Sequence, residues 1–373
     1  MTELERDEVT KEKLQKLGHR ILKQIEEGEN PEFEKPVRSR SNVEYDEEEK
    51  VLTLGDKKSS REFMNIGHAR KFMQTMMIAS KCKELIEEGR TASVRELYYQ
   101  LKHTIPGLDE NTLEDQEESD PVIVDLETAL DAIREQMHLI ADPRGTLFGP
   151  IKIEQQGDVM DAMKMGRSGI AIPSIVDDYN FVEHDADYVL VVETAAMVNR
   201  LVEENFHEEN NAILISTQGQ PSRGARRLTN MFANQLDLPI YVFTDGDPWG
   251  YYIYSVLRAG SMNLAFESDR LATPEANLVG MTMSDVQEYG LENVTENLKG
   301  KPKDKKGGPT KDYKRARDLM DYEWFQQDEW QDQLQTMLDK GIRVEQQALA
   351  SNNLQFVSET YLPEKIERGD FLP

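Results

Sequence analysis

From Tyr188 onward, short apolar runs alternate with longer amphipathic stretches. Strand-like segments at 188–192, 212–216 and 239–244 are each followed by a helical pattern, at 194–205, 222–236 and 248–258, and a further strand is expected at Leu278-Val-Gly-Met281. Parallel strands need a crossover of a dozen or so residues, which these helices supply. The pattern therefore predicts an α/β fold: a mainly parallel sheet flanked by helices on both faces.

Two of the strand-like runs end in carboxylates. Glu193 closes Tyr188-Val-Leu-Val-Val192, and Asp245-Gly-Asp247 closes Ile240-Tyr-Val-Phe-Thr244. In open α/β sheets ligands bind outside the carboxyl ends of the strands, so neighbouring strands would aim Glu193, Asp245 and Asp247 at one hard cation. Oxygen-only ligands favour Mg²⁺, which keeps several waters and takes few carboxylates besides substrate phosphate. Each fragment alone has a plainer reading, Asp-Gly-Asp as a turn and Glu193 as a helix cap. Between the second strand and its helix, Ser216 to Arg227 combines glycines, hydroxyls and Arg223, Arg226 and Arg227. Such a helix N-terminus suits phosphate and marks these arginines as candidate DNA contacts. The loop does not match a P-loop, and no Walker A sequence occurs.

The 373 residues suffice for two or three domains. No apolar run approaches the roughly 20 residues of a membrane span, and the polar N-terminus does not read as a targeting segment. One cysteine, Cys82, leaves no internal disulfide, so a reducing cytoplasm is expected. The histidines lack metal-ligand spacing, and zinc is not expected. Net charge runs against nucleic acid, since 70 acidic residues outnumber 44 basic ones to give −26. The acid is spread along the chain as a solvated surface. Basic residues gather at Arg223–Arg227 and Lys299–Lys306, leaving room for a local DNA footprint on a repulsive body.

Residues 3 to about 27 read as an amphipathic helix with Leu14, Leu17, Ile21, Leu22 and Ile25 on one side, suited to docking a partner. A linker, Pro31 to Ser41, precedes a small hairpin at 43–45 and 51–54. Met64 to Gly89 is a long helix closed by its glycine, Ser93 caps the next, and a third starts at Asp120-Pro121 and runs to about His138. Gly145 to Ile153 then offers turn glycines between β-prone runs. Three helices and a ribbon are the order of a winged-helix (CAP-like) DNA-binding module. The expected division is 1–62 for docking, 63–155 for the winged helix, and 156–373 for the metal-binding sheet with a C-terminal helical elaboration.

The second helix carries Val94-Arg-Glu-Leu-Tyr-Tyr-Gln-Leu101. At 100° per residue Val94, Leu97, Tyr98 and Leu101 share a stripe, which makes Tyr98 the core residue and leaves Tyr99 outside it. Arg95 precedes Tyr99 by four positions and shares its face. A guanidinium there can hold a phosphate and favour the phenolate of a group whose ordinary pKa of about 10 makes it a poor nucleophile. His103, a turn further on, is placed to act as a base. The plain alternative is an ordinary amphipathic helix.

Taken together, Arg95-Glu-Leu-Tyr-Tyr99, Val192-Glu-Thr194, Gly219-Gln-Pro-Ser-Arg223, Phe243-Thr-Asp-Gly-Asp-Pro-Trp-Gly250 and Gln346-Gln-Ala-Leu-Ala350 resemble the DNA-cleaving subunits of type IIB DNA topoisomerases of the topoisomerase VI kind, relatives of the meiotic double-strand-break protein. The resemblance spans nearly the whole chain. It implies a Toprim domain in which Glu193, Asp245 and Asp247 bind Mg²⁺, and a nucleophile, Tyr99, that holds a 5′ phosphate with help from Arg95. It also implies a homodimer acting on double-stranded DNA, in which the tyrosine of one protomer works with the metal of the other. ATP would sit on a separate B subunit, in an A2B2 heterotetramer. Relaxation and unlinking of DNA by duplex passage is the expected activity. The rivals are a break initiator that does not reseal, a Toprim nuclease that uses water, and a winged-helix protein with a relict metal site.

Overall fold

The structure is a computed structural model that describes residues 3–303 and 307–373. Lys305 and Lys306 of the expected basic cluster lie outside the described residues. Contacts divide the chain into two compact units, Met1–Glu44 with Leu54–Asp142, and Tyr45–Thr53 with Pro143–Pro373. No described helix is long and apolar enough to cross a membrane.

The first unit is mostly helical. Its N-terminal helix, Glu3–Glu26, buries Leu14 and Ile21 but leaves Leu22 and Ile25 exposed, so only part of the expected apolar stripe meets the core. The helix Ile66–Glu88 ends at Gly89 with φ 61°, in the left-handed region that a glycine enters without strain. Ser93 then opens the helix Val94–Leu101 with a reciprocal capping box, Ser93 accepting from the Glu96 N–H and Glu96 accepting from the Ser93 N–H. The third helix is shorter than expected. It spans Ser119–Leu130, with Pro121 in its first turn where a missing N–H costs nothing. Asp131 turns left-handed at φ 48°, and the buried Glu127 carboxylate takes the Arg134 N–H at 2.6 Å, which draws the chain off the helix axis. These helices meet around Ile78, Cys82, Leu97, Leu126 and Met137. A short antiparallel pair, Glu32–Pro36 with Lys58–Glu62, completes the unit.

Asp125, buried on Ser119–Leu130, gathers three cations from that pair and its flank: Arg61 at 2.6 Å, Arg38 at 2.8 Å and Lys35 at 3.2 Å. Burial would raise this carboxyl. The Arg38 hydrogen bond and the surrounding positive charge outweigh it and hold the group below the usual carboxylate range. Burial also pushes the Lys35 amine down, against the Asp125 charge that favours its protonated form.

The second unit is built on a six-stranded sheet. Tyr188–Val192 lies parallel between Ala212–Ser216 and Ile240–Phe243, and Ile240–Phe243 pairs in parallel with Asn277–Gly280. The strands Tyr188–Val192 and Ala212–Ser216 are buried along their whole length, as two-sided coverage by helices requires. The segment expected to form a wing does something else. Thr146–Phe148 joins the edge of this sheet, antiparallel to Ala212–Ser216 and beside Ile170–Ala171. Ile151–Gln155 enters a separate three-stranded sheet with Asp158–Asp161 and Asn180–His184. The parting is steric: Gly149 has φ 119° and a Cβ there would lie 2.4 Å from the Ala212 carbonyl, and Pro150 follows with no N–H to donate. The two β-prone runs therefore diverge instead of pairing as a ribbon.

The C-terminal region is helical, as read, with Asp312–Met320, Asp328–Lys340 and Leu362–Arg368. It returns to the sheet, where Leu278 and Leu372 exchange backbone hydrogen bonds at 2.8 and 2.9 Å.

Candidate functional site

The strand register sets the acidic centre. Val192 is opposite Phe243 on neighbouring parallel strands, so the residues that follow each strand emerge side by side. The Glu193 N–H donates to the Phe243 carbonyl at 3.0 Å, and the Asp245 N–H donates to Glu193 Oε2 at 3.0 Å. Asp245 Oδ1 accepts the Gln346 N–H at 2.8 Å. Gln346 is fully buried and spans the site: its Nε2 donates to the Phe243 carbonyl at 2.7 Å, and its Oε1 accepts the Thr194 hydroxyl at 2.9 Å.

Asp247 is held differently. Its Oδ1 accepts the Trp249 and Gly250 N–H groups, each at 2.8 Å, as the cap of the helix Pro248–Arg258, and its Oδ2 faces Arg343 at 3.3 Å. Arg343 in turn pairs with Glu296 and, at 3.3 Å, with Glu345. Glu193 and Asp245 thus each keep one oxygen, Oε1 and Oδ2, without a protein partner. Both oxygens of Asp247 are engaged, Oδ1 by two N–H groups and Oδ2 by Arg343.

Burial pushes Glu193 up to about 8, with Asp245, Asp247 and Glu345 adding to the rise. Burial also brings Asp245 up to about 6, against the Gln346 N–H that favours its charged form. Asp247 is raised by burial too, restrained by its two N–H donors and by Arg343. Carboxylates crowded out of water without enough positive charge are what a divalent cation relieves. The donor set is hard oxygen, and the two free oxygens suit an ion that completes its shell with water. The residues fit Mg²⁺.

Among the described residues it is Asp285, Glu288 and Asp370, and not Glu193, Asp245 and Asp247, that bring three carboxylate oxygens within 4.8 Å of one another. Each of the former is already paired with a cation: Lys365 with Asp285 at 3.0 Å and Asp370 at 2.7 Å, and Arg368 with Glu288 at 2.8 Å. The Tyr361 hydroxyl donates to Asp285 at 2.6 Å, so this cluster ties the C-terminal helix down.

The tyrosines divide as the helical stripe predicts. Tyr98 is 8% exposed and Tyr99 62% exposed, with ring centroids 5.0 Å apart. Tyr98 is anchored at its hydroxyl, which donates to the Glu114 carbonyl at 3.0 Å and accepts from Lys102 at 2.7 Å. Tyr99 and Arg95 both stand in solvent, and neither side chain makes a hydrogen bond or ion pair among the described residues. His103 is exposed on the same side of the sequence, with no hydrogen bond from its ring to the Tyr99 hydroxyl.

The candidate DNA contacts on the helix Arg223–Leu236 have partners within the protein or are buried. Arg223 pairs with the buried Glu267 at 2.8 Å, Arg227 binds Asp177 at 2.9 Å and Asn230 at 3.0 Å, and Arg226 is 2% exposed. Loop composition implied a phosphate cradle. The acids that claim these guanidiniums lie 40 to 50 residues away in sequence, where composition cannot reveal them.

Sequence reasoning also missed the brace formed by Arg343, Glu345 and Gln346. Gln346 falls within a run that carried the resemblance, but no spacing rule joins it to Asp245, 101 residues upstream.

A parallel sheet with acidic residues at adjacent strand ends, braced by a returning C-terminal segment, is the architecture of a Toprim domain. The family model for the Toprim domain of the topoisomerase 6 A-subunit/Spo11 group matches residues 188–366, that for "Type IIB DNA topoisomerase" residues 70–139, and that for the "All-beta domain in DNA topoisomerase VI alpha subunit" residues 144–185. The chain is 54% identical to the type 2 DNA topoisomerase 6 A-subunit of Pyrococcus horikoshii over 97% of its own length and 94% of the relative's. It is 40% identical to that of Hyperthermus butylicus, over 94% of this chain and 93% of the relative, and 37% identical to that of Natronomonas pharaonis, over 96% of each. The chain belongs to the DNA topoisomerase VI A-subunit family, and so to the type IIB topoisomerases.

Proposed function

We propose that this chain is the DNA-cleaving subunit of an ATP-dependent type IIB topoisomerase. The observation that carries the reading is the Glu193–Asp245 pair, two half-buried carboxylates set side by side at adjacent strand ends, each with one oxygen that no described residue binds. The exposed Tyr99 supplies the nucleophile.

On this reading the Tyr99 hydroxyl attacks a backbone phosphorus. A bond forms between the phenolic oxygen and phosphorus, the bond from phosphorus to the 3′ oxygen breaks, and the proton lost by the phenol is matched by one gained on the departing 3′ hydroxyl. The product is a 5′-phosphotyrosyl link and a free 3′ end. Reversal reseals the strand with no net change in phosphoester bonds. Arg95, one turn before Tyr99, contacts the phosphate and favours the phenolate. Glu193 and Asp245 hold the metal, and Asp247 orients the site from the helix cap. When bound, Mg²⁺ supplies positive charge to the scissile phosphate and the leaving 3′ oxygen.

The helices Ile66–Glu88, Val94–Leu101 and Ser119–Leu130 serve as a DNA-binding module of the winged-helix kind, and the N-terminal helix docks a partner. The working assembly is an A2B2 heterotetramer: two copies of this chain cut the two strands of a duplex, and an ATPase B subunit drives passage of a second duplex. It acts in the cytoplasm, relaxing supercoils and decatenating DNA.

The test is a denaturing-gel assay for protein–DNA adducts on supercoiled plasmid with Mg²⁺ and an ATPase partner. Wild type and Tyr98→Phe should give adducts and Tyr99→Phe none. Nicking by a wild type that never forms an adduct would replace this reading with a nuclease that uses water.

A further inference from the structure

The Lys-rich loop between the sheet and the C-terminal helices is unexplained by the chemistry above, and it lies beside the metal site. Between residues 299 and 317 the sequence has nine Lys and Arg against two Asp, a local +7 in a chain of net −26. The base of the loop is fixed. The Lys299 N–H donates to Asp312 Oδ2 at 2.7 Å, the Asp312 N–H returns to the Lys299 carbonyl at 3.1 Å, and the Lys301 N–H donates to the Thr310 hydroxyl at 2.8 Å. The other oxygen of Asp312 accepts the Trp249 indole N–H at 3.2 Å. Trp249 is two residues beyond Asp247 in the first turn of the helix that Asp247 caps. One carboxylate therefore ties the basic loop to the acidic centre.

Trp249 is 45% exposed, unusual for an indole, and is covered by a cation. The Arg315 guanidinium lies 4.6 Å from the Trp249 ring and 4.3 Å from the Tyr252 ring, whose planes meet at 89°. Among the described residues the Arg315 side chain makes no hydrogen bond or ion pair, and its Nε is buried without a partner. Two aromatic rings thus hold a guanidinium in place while no carboxylate claims it, in contrast to Arg223, Arg227 and Arg343. Lys299, Lys301, Lys311 and Lys314 are exposed around it.

We propose that Arg315, set by Trp249 and Tyr252, forms with Lys299, Lys301 and Lys314 a phosphate-binding surface for duplex DNA flanking the metal site. This rests on the topoisomerase reading and adds to it. Repulsion from the acidic body makes contact elsewhere costly, so the basic surface sets where and in what register the backbone approaches Glu193 and Asp245. No base edge is read, and binding there is indifferent to sequence.

The experiment measures binding of a fluorescent duplex by the full-length chain as a function of KCl at fixed Mg²⁺. Each phosphate contact contributes about 0.9 to the slope of log affinity against log salt. Combined Lys299→Gln, Lys301→Gln and Lys314→Gln, all at exposed side chains, should flatten the slope by about 2 to 3. Arg315→Gln should flatten it by about 1, and Arg315→Lys should restore slope but not full affinity, because an ammonium does not stack as a planar guanidinium does. Slopes unchanged from wild type, with wild type still forming its Tyr99 adduct, would overturn this surface and leave the topoisomerase reading standing. Unchanged DNA binding with weakened association of the ATPase partner would overturn it in favour of a protein contact. A wild type that neither binds duplex nor forms the adduct would overturn both.

Discussion

The side chain of Glu193 accepts the backbone N–H of Asp245 at 3.0 Å, so one carboxylate of the centre positions the residue that carries the next. Because both groups are half-buried and raised, to about 8 and about 6, the centre titrates near neutrality. A raised carboxyl binds protons more tightly folded than unfolded. Its stabilising contribution is complete below the ordinary carboxylate value and is lost as pH climbs through the folded value. Metal-free protein should therefore lose stability as pH rises toward about 8. The gain in thermal midpoint on replacing EDTA with Mg²⁺ should grow over the same window. In Glu193→Gln that growth should shrink; a Mg²⁺ gain that stays flat with pH in the wild type would contradict the assignment.

The two adjacent tyrosines should separate stability from chemistry. Tyr98→Phe removes a hydroxyl bonded to Glu114 and Lys102 and should cost about 0.5–1.5 kcal/mol in urea unfolding, with adducts retained. Tyr99→Phe alters an exposed ring and should leave the unfolding curve in place while abolishing adducts.

Asp125 is expected to hold the N-terminal unit together. Asp125→Ala leaves Arg38 and Arg61 facing each other in a buried site and should cost on the order of 3–5 kcal/mol. Since its folded carboxyl lies below the ordinary value, its contribution is present above that value and is lost as pH falls through the folded one. Circular dichroism during acid titration should show wild type losing helix below about pH 4, and Asp125→Ala showing a smaller acid-induced loss of stability.

Gln346→Ala should damage the centre without touching a carboxylate. It removes one of the two donors to the Phe243 carbonyl and the acceptor of the Thr194 hydroxyl, costing on the order of 1–3 kcal/mol. Mg²⁺ affinity by calorimetry should fall with adduct yield. A variant with native metal affinity would reduce Gln346 to a packing residue.

What the sequence disclosed was local or periodic. The parallel sheet was legible because strands buried on both faces read as unbroken apolar runs, as at Tyr188–Val192. Ser93 and Gly89 could be placed because capping chemistry is local, whereas the capping role of Asp247 was not read. The choice of Tyr99 over Tyr98 followed from helical angle alone. What escaped depended on distant partners. Gly149 parts two strands because of the Ala212 carbonyl, Glu267 and Asp177 draw arginines inward, and Arg343 with Gln346 closes a site whose acids lie far upstream.

The brace from Gln346 also orders events during synthesis. A nascent chain exposes Tyr99, Glu193, Asp245 and Asp247 well before residue 346 leaves the ribosome, and the Leu278 edge of the sheet waits longer still for Leu372. An incomplete chain thus carries both strand-end carboxylates, Glu193 and Asp245, with the second still lacking its Gln346 donor.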